Sequence, residues 1–439
     1  MTMPPVPRPI PERAFARNLR MGGVASGILG ATLGTVASTL LRGQRPDLAQ
    51  AVLTPANALR LAGGLAHLRG AAMKLGQMLS LENGLALPPE LTAILGQLQA
   101  SAPAMPPAQL KSVLTAEWGA GWQKKLARFE VRPIAAASIG QVHRAWLKDG
   151  RALAVKVQFP GIANSIDSDI ATLGRLLRMP GVLPKGLDIT PLMTEARAQL
   201  HEEADYHREA RALHTFGQAL SDDPQFLVPH VHGDLSTKRI LAMDFIESTP
   251  IDAAISAPLT VRNQLARDLI SLVLRELFAL GQMQTDPNFA NYRLAPDGRI
   301  VLLDFGATRA IDSATAERYR ELLGAFLATD QAQIWSQMAA LGYFRPDQPE
   351  KRKALIVALA IKASAPLRQD TAYDFASATL IEDLAREGQA LGAAREFWHV
   401  PPADLLFLHR KIGGMYLLAQ RLGAEIRLRP LLEPWATPR

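Results

Sequence analysis

Two charged residues in apolar strands constrain the fold of this sequence more than any other feature. Lys156 lies inside the run Ala152–Gln158, where apolar neighbours on both sides predict a buried strand. A second strand is predicted at Arg299–Leu303, and it ends in the triplet D-F-G, which places the carboxylate of Asp304 at a strand tip where a metal ion can bind. The alternatives are an edge-strand lysine, which the apolar neighbours of Lys156 argue against, and an aspartate that caps a turn.

The motifs between and around these strands decide in favour of chemistry. Asp286 and Asn291 have the spacing D-x-x-x-x-N that is typical of a kinase catalytic loop, and the strand around Lys156 matches the pattern V-A-I-K. Acidic residues that could pair with this lysine lie on a predicted helix at 203–209. An ordinary Asx turn would explain Asp286 and Asn291 alone, but four weak motifs in the correct chain order together predict phosphoryl transfer.

The residue types suit a nucleoside triphosphate. Mg²⁺ bridges the phosphates of such a substrate and prefers oxygen ligands, which Asp304 and Asn291 supply. Lys156 is a point charge for the inner phosphates, and Glu209 holds it in position. Asp286 orients or deprotonates the attacking hydroxyl group or water.

Several parts of the usual kinase pattern are absent from the sequence. No G-x-G-x-x-G precedes Lys156, and residues 134–141 (IAAASIGQ) stand in its place. Small residues let backbone N–H groups approach phosphate, but alanine takes a positive φ less readily than glycine, so we expect a stiffer loop. Gln284 and Thr285 replace the H-R of H-R-D, and no A-P-E follows D-F-G. These absences argue against a docking platform for protein substrates.

The N-terminal region is expected to contact a membrane. Residues 1–60 carry seven arginines and two acidic residues, a net charge of +5 out of +7 for the whole chain. Residues 1–20 read as a basic, Pro/Arg-rich leader. Residues 21–42 are an apolar, Gly-rich membrane-contact segment that spans the bilayer or lies on it, and its G-x-x-x-G spacings would suit a homodimer. The alternative is a Gly-rich helix packed on the protein body, or a flexible linker.

The partner of this basic region is expected to be lipid. With a single aromatic residue, Phe15, among its arginines, we favour anionic membrane lipid and expect no nucleic acid. The predicted location is the cytoplasmic face of a bacterial inner membrane.

Composition and patterning predict an α+β protein of more than one domain. The chain has 439 residues, of which 48% are apolar and 20% charged, and it contains no cysteine, which excludes disulfides, thiolate metal sites and cysteine nucleophiles. The predicted units are a helical extension at 55–126, a small mixed lobe at 127–250 and a helical lobe at 251–439. The predicted elements are helices over 162–220, 262–283 and 314–429, and strands at Val228–His232 and Arg239–Ile246.

At these motifs the sequence resembles the UbiB-like (aarF-domain) atypical kinases. The resemblance runs from about residue 15 to 435, and among these kinases the sequence is most similar to the mitochondrial coenzyme Q branch. The shared motifs are K-x-G-Q at Lys74–Gln77, A-A-A-S at 135–138, V-K-V-Q-F-P-G at 155–161, E-x-D at Glu203–Asp205 with Glu209, Q-T-D-P-N at 284–288, L-D-F-G-A-T at 303–308 and H-R-K-I-G-G at His409–Gly414.

The resemblance implies an atypical protein-kinase-like fold that binds ATP and Mg²⁺, and ATPase activity linked to quinone-precursor lipids and ubiquinone biosynthesis proteins. It implies that Lys74 pairs with Glu203 or Asp205, so that the K-x-G-Q helix covers the face where a protein substrate would dock, whereas spacing alone favours a solvent-exposed Lys74. It also implies that Lys156 pairs with Glu209. The nucleotide-binding candidates are Gln77, Ala135, Ala136, Ala137, Ser138, Ile139, Gly140, Gln141 and Lys156.

Two other functions stay open at this point. The first is a protein or small-molecule kinase that transfers phosphate to a partner, which the missing A-P-E argues against. The second is a pseudokinase scaffold that binds nucleotide without turnover. The sequence argues against such a scaffold, because it retains every catalytic residue type. These residues are Lys156, Glu209, Asp286, Asn291 and Asp304.

Overall fold

The structure is a computed structural model that describes residues 70, 71, 74, 104–178, 189–392 and 403–437. The chain forms two compact units. The first contains the described residues up to His214 together with His230–Phe245, and the second contains Thr215–Pro229 and the described residues from Ile246 onward. The predicted leader and apolar segment (1–20 and 21–42) lie outside the described residues.

The helices and strands are numbered in chain order. The strands are β1 (Arg128–Phe129), β2 (Ala135–Ala136), β3 (Gly140–Trp146), β4 (Ala152–Gln158), β5 (Phe226–Leu227), β6 (Ile240–Asp244), β7 (Thr249–Pro250), β8 (Gln282–Gln284), β9 (Tyr292–Leu294), β10 (Ile300–Leu302), β11 (Thr308–Ala310), β12 (Tyr373–Asp374) and β13 (Glu425–Ile426). The α-helices are α1 (Pro107–Trp118), α2 (Ile162–Leu177), α3 (Thr190–Glu203), α4 (Tyr206–Ala219), α5 (Leu259–Arg275), α6 (Ser313–Ala328), α7 (Gln331–Leu341), α8 (Glu350–Ala363), α9 (Ala365–Arg368), α10 (Leu380–Gly392), α11 (Ala403–Leu422) and α12 (Arg429–Leu432).

An antiparallel sheet of order β1–β3–β4–β6, with β2 on β3, forms the centre of the first unit. The turn before β4 contains Gly150, which takes a φ of 91°, a conformation that favours glycine. Strand β4 is buried along almost its whole length, which explains its continuous apolar run. Lys156 lies at its centre, opposite Val142 on β3 and Leu241 on β6.

The region predicted to be helical over 162–220 contains the helices α2, α3 and α4. Ala204 and Asp205 separate α3 from α4. Gly174 on α2 allows a close approach of α3, because a Cβ at this position would lie 3.3 Å from Met193 Cε. The indole N–H of Trp118 on α1 donates to the carbonyl of Leu235 at 2.8 Å, which ties α1 to the loop before β6.

The second unit holds three small sheets and the remaining helices. Strands β5, β10, β9 and β7 form one sheet, in which β5 pairs in parallel with β10. Strands β8 and β11 form a second, and β12 and β13 a third. Residues 215–229, which include β5, belong to this unit, whereas the sequence placed them in the predicted lobe at 127–250.

The apolar core of the second unit lies among α5, α6, α11 and β13. Its members include Leu274, Leu323, Ala419 and Ile426. Arg262 on α5 donates to the carbonyls of Leu422 and Gly423 at 2.6 and 2.9 Å, so a cation stabilises the C-terminal end of α11.

Two regions of this unit that are predicted to be helical also contain other elements. The helix expected over 262–283 is α5 followed by a π-helical turn at Glu276–Leu280, after which β8 begins. The region predicted to be helical over 314–429 contains α6 to α11 and also the paired short strands β12 and β13. The predicted α+β class is confirmed. No helix among the residues that the structure describes is long and apolar enough to cross a membrane.

A buried histidine closes a polar chain in the first unit. His143 is 0% exposed, and its Nδ1 lies 2.8 Å from the carbonyl oxygen of Glu130. Its Nε2 lies 2.8 Å from Nε2 of Gln141, whose amide oxygen accepts from the Met105 N–H. This fixes the Gln141 amide as a donor to His143, so the ring is neutral with its proton on Nδ1. Burial lowers the pKa of His143, against the opposing bond to Glu130.

We predict that His143 makes the first unit acid-sensitive. Because its pKa is lower in the folded state, the unfolded chain takes up a proton first when the pH falls below the ordinary imidazole value of about 6.5. The free energy of unfolding should therefore decrease below this pH, by at most about 1.4 kcal/mol per pH unit for this one proton. Denaturant unfolding of His143→Leu should show a lower stability but a flatter decline from pH 6.5 to 5. The matched control is the exposed His214→Leu, and an equal slope in both variants would contradict the prediction.

Candidate active site

A buried ion pair lies at the centre of the first unit. Nζ of Lys156 on β4 is 2.6 Å from Oε1 of Glu209 on α4, and both side chains are buried. The ring of Tyr206 lies beside the ammonium group, with its centroid 5.5 Å away. The apolar strand therefore holds a fixed cation, with one carboxylate to orient it. The pairing that the resemblance implied is present.

A second carboxylate joins Lys74 of the K-x-G-Q motif to residues 134–141, here called the alanine-rich loop. Nζ of Lys74, which is 0% exposed, lies 2.6 Å from Oε1 of Glu203 at the end of α3. The other oxygen of Glu203 accepts a hydrogen bond from Ser138 Oγ, also at 2.6 Å. Gly70 packs on the same loop, since a Cβ there would lie 3.1 Å from Ile139 Cγ2. Lys74 is thus not the solvent-exposed lysine that spacing alone favoured.

Asp205 has a different partner. Its side chain accepts from the backbone N–H of His207 at 3.0 Å, and it lies just before α4 begins. This is the position of an N-cap. Of the two carboxylates that the resemblance offered to Lys74, Glu203 therefore makes the ion pair and Asp205 caps the helix that carries Glu209.

The alanine-rich loop exposes backbone rather than side chains. Ala135 and Ala136 form the edge strand β2 and are exposed, and the Ala137 N–H donates to the Gly140 carbonyl at 2.9 Å to close the turn. Gly140 cannot be replaced without a shift, because a Cβ would lie 2.4 Å from the carbonyl oxygen of Val157. Backbone N–H groups of a turn like this suit phosphate oxygens.

The side chain of Gln141 does not face the Lys156–Glu209 pair. The cross-strand partner of Lys156 on β3 is Val142, so the side chain of Gln141 is on the opposite face of the sheet from Lys156. It is bound to Met105 and His143, which corrects its assignment as a nucleotide ligand through its side chain. Gln77 lies outside the described residues.

In the second unit, Asp286 and Asn291 lie on the loop between β8 and β9. The Asn291 side-chain amide donates to the Asp286 carbonyl at 3.2 Å, which closes the loop on itself. Thr285 donates twice to the Ala307 carbonyl, through its N–H at 3.1 Å and its hydroxyl at 2.7 Å, and so anchors the start of the loop. The amide oxygen of Asn291 is the atom that suits a cation.

Asp304 follows β10 and is held next to this loop. The Leu303 N–H donates to the Asn291 carbonyl at 3.2 Å, and Asp304 accepts from the Gly306 N–H at 3.0 Å. Phe305 packs on Phe216 with ring centroids 4.7 Å apart. Asn291 and Asp304 line one small cavity of the second unit, so an amide and a carboxylate, the oxygen ligands that suit Mg²⁺, are available together.

A further cluster lies on the sheet of the first unit. Ligand atoms of His230, His232 and Asp244 lie within 4.8 Å of one another. Nε2 of His232 is 2.8 Å from a carboxylate oxygen of Asp244. This carboxylate–imidazole hydrogen bond accounts for the pair without a metal ion.

Sequence reasoning missed two contributions. Ser138 was expected to contact nucleotide but not to bind Glu203. Lys411 on α11 was noted only as part of a motif, yet it is buried against Glu276, Gln284 and Tyr292. The available signal is that Lys411 occupies the buried stripe of α11, four residues before Met415 and three after Leu408, where a lysine needs a partner.

An α+β fold that carries a buried Lys–Glu pair, a D-x-x-x-x-N loop and a D-F-G strand end defines the kinase-like class. Residues 97–338 match the ABC1 atypical kinase-like domain. The chain belongs to this family, as the resemblance predicted, and it is an enzyme of the atypical kinase type.

Known proteins share most of the chain. It is 36% identical to the mitochondrial atypical kinase COQ8 of Saccharomyces cerevisiae, over 97% of this chain and 85% of that protein. It is 37% identical to the mitochondrial atypical kinase COQ8B of Rattus norvegicus, over 97% and 81%. The solved complex of Rv3197 with erythromycin from Mycobacterium tuberculosis superposes with a TM-score of 0.60 at 26% identity, covering 89% of this chain and 99% of that one.

We predict that Lys74 orders the alanine-rich loop through Glu203. Removing one partner of a buried pair leaves an uncompensated charge and costs about 3–5 kcal/mol when burial is deep. Because Glu203 also binds Ser138, Lys74→Ala should increase the amide exchange of residues 135–141 by more than tenfold. A factor of ten in exchange corresponds to about 1.4 kcal/mol. The exposed Lys111→Ala on α1 is the control. Exchange in Lys74→Ala equal to that in Lys111→Ala would show that the pair does not order the loop.

Proposed function

We propose that this chain is a membrane-associated ATPase of the atypical kinase fold that binds ATP with Mg²⁺ and supports ubiquinone (coenzyme Q) biosynthesis. The observation that carries the proposal is the buried Lys156–Glu209 pair, at 2.6 Å in the middle of an apolar strand. A charge pair in this position is costly to bury, and binding of an anionic substrate accounts for its presence. The relatives named COQ8 support the link to coenzyme Q.

Each site residue has a role in this proposal. Lys156 neutralises the inner phosphates and Glu209 orients it. The backbone of residues 135–140 covers the phosphates. Asn291 and Asp304 would hold Mg²⁺, which supplies charge neutralisation for the transferred phosphoryl group. Asp286 accepts the proton of the attacking water or hydroxyl group.

The Lys74–Glu203–Ser138 contacts favour ATP hydrolysis over phosphorylation of proteins. They hold the K-x-G-Q segment on the alanine-rich loop of the first unit, the segment that the resemblance places over the docking face for protein substrates. The client would then be a quinone-precursor lipid or another ubiquinone biosynthesis protein. The proposed membrane association rests on the basic and apolar residues 1–42, which would place the protein at a bacterial inner membrane. The same region would also form the contact of a homodimer.

Two experimental results would favour a different function for this chain. Transfer of labelled phosphate to a partner, with little free phosphate released, would identify a protein or small-molecule kinase. Tight nucleotide binding without turnover would identify a pseudokinase scaffold.

We predict that Asp304→Asn abolishes ATP turnover in a folded protein. The substitution removes an anionic ligand from a Mg²⁺ site with few protein ligands, so turnover should fall by about a hundredfold or more. Steady-state phosphate release at saturating Mg²⁺ and ATP, with circular dichroism to check folding, provides the measurement. Asp370→Asn is the matched control, since Asp370 is exposed. Near-normal turnover in folded Asp304→Asn would remove Asp304 from the metal site.

We predict that residues 1–45 bind anionic lipid. Basic residues near an anionic membrane contribute about 1 kcal/mol each, and residues 1–60 have a net charge of +5. Deletion of residues 1–45 should abolish flotation with vesicles that contain phosphatidylglycerol and leave nucleotide affinity unchanged. Vesicles of pure phosphatidylcholine test for the contribution of charge. Equal flotation of the truncated and full-length proteins would place the membrane contact in another part of the chain.

A further inference from the structure

Helix α11 touches the loop that carries Asp286. A Cβ built at Gly414 would lie 2.1 Å from Pro287 Cβ and 2.7 Å from its Cγ, so the helix backbone and the loop are in direct contact. Nothing lies within 4 Å of a Cβ built at the adjacent Gly413. Both glycines lie inside the helix, where glycine is unfavourable. The contact explains the glycine at 414, while 413 is free of this constraint.

Three residues before Gly414, the same helix buries a lysine with three acceptors. Nζ of Lys411 lies 3.0 Å from a carboxylate oxygen of Glu276, 3.0 Å from the Tyr292 hydroxyl oxygen and 3.4 Å from the Gln284 amide oxygen. These four residues are between 1% and 4% exposed. An ammonium group has three N–H donors, so Lys411 meets one acceptor for each.

The acceptors are placed at the ends of the catalytic loop. Gln284 ends β8, two residues before Asp286, and Tyr292 begins β9, immediately after Asn291. Glu276 begins the π-helical turn after α5. One ammonium group therefore joins the start of the loop, its end and the preceding helix.

Lys411 stays protonated and carries its positive charge although it is buried. Burial alone would lower the pKa of its amine, but the carboxylate of Glu276 and the hydroxyl of Tyr292 outweigh burial and raise this pKa above its usual value. The cluster also reaches the proposed metal ligands. Lys411, Glu276, Gln284 and Tyr292 line the same small cavity as Asn291 and Asp304.

We infer that α11 is a positioning element for the Asp286–Asn291 loop, in which Lys411 fixes both ends of the loop and Gly414 admits Pro287. The inference rests on the proposed ATPase for its catalytic consequence. The contacts do not depend on that activity and can be tested without it.

The glycine pair gives the first test. In Gly414→Ala the loop must move by more than an ångström to restore van der Waals distance, and a misplacement of that size can reduce the rate by about a hundredfold. We expect kcat to fall to this extent with the KM for ATP within about threefold, because only the loop has moved. Gly413→Ala should keep wild-type kcat. If Gly414→Ala matches Gly413→Ala in kcat, the inference is wrong.

The lysine gives a second test, which separates positioning from stability. Lys411→Met should leave Glu276 buried without its cation, lower the melting temperature and reduce kcat. Adding Glu276→Gln removes that charge and should restore much of the melting temperature. Gln284 and Tyr292 would still lack their common donor, so kcat should stay low and the Mg²⁺ concentration for half-maximal rate should be higher than in the wild-type protein. Recovery of kcat together with stability would show a merely structural role.

Amide exchange of residues 282–293 gives a readout without turnover. Exchange of this segment should rise in Gly414→Ala and in the Lys411→Met/Glu276→Gln double variant but not in Gly413→Ala. If the wild-type protein does not hydrolyse ATP while exchange follows this pattern, the proposed function fails and the positioning role stands. Unchanged exchange in all three variants would overturn the inference whatever the activity.

Discussion

An ammonium group can be buried only with a partner, and this constraint organises the described part of the chain. Four lysines in it are buried: Lys74, Lys156, Lys353 and Lys411. Each has a glutamate oxygen within 3.0 Å. Except for Lys353, whose partner is three residues away, each pair joins elements that are distant in sequence. The pairs therefore fix which helix lies against which strand or loop, and a carboxylate lost from any of them leaves a buried charge.

The glutamates of the three long-range pairs have different structural roles. Glu209 pairs with Lys156 in the apolar strand, so it orients a cation. Glu203 serves a lysine and a serine hydroxyl, so it connects a helix to a loop. Glu276 belongs to a cluster with a phenol and an amide, so it supports two chain ends through one lysine.

The sequence predicts best where a local pattern and its chemistry coincide. Lys156 lies in a run of apolar residues that only a buried strand accommodates, and the D-x-x-x-x-N and D-F-G motifs lie on short elements whose order is fixed by the chain. The choice between Glu203 and Asp205 was not predictable, because helix capping and ion pairing use the same carboxylates. It depends on where α3 ends, a boundary that no periodicity specifies.

Non-local pairing explains the remaining differences. Strand β5 is two residues long and pairs with β10, which is more than seventy residues further along the chain, and residues 215–229 belong to the second unit. The π-helical turn after α5 follows an uninterrupted helical pattern, so no local signal in the sequence marks it. Lys411 resembled a motif residue on a helix, and only the folded chain brings its three acceptors together.

The division of the first unit into two chain segments has a consequence for synthesis. Its sheet needs β6, because Lys156 on β4 pairs with Leu241, and residues 215–229 are made before that strand. On the ribosome, those residues leave the exit tunnel while their own partner, Ile300–Leu302, has not yet been translated. The first unit can therefore close while an apolar strand of the second waits unpaired, which is the state in which domains of growing chains are most exposed to wrong contacts. For the same reason no single cut in the gene separates the two units into intact halves.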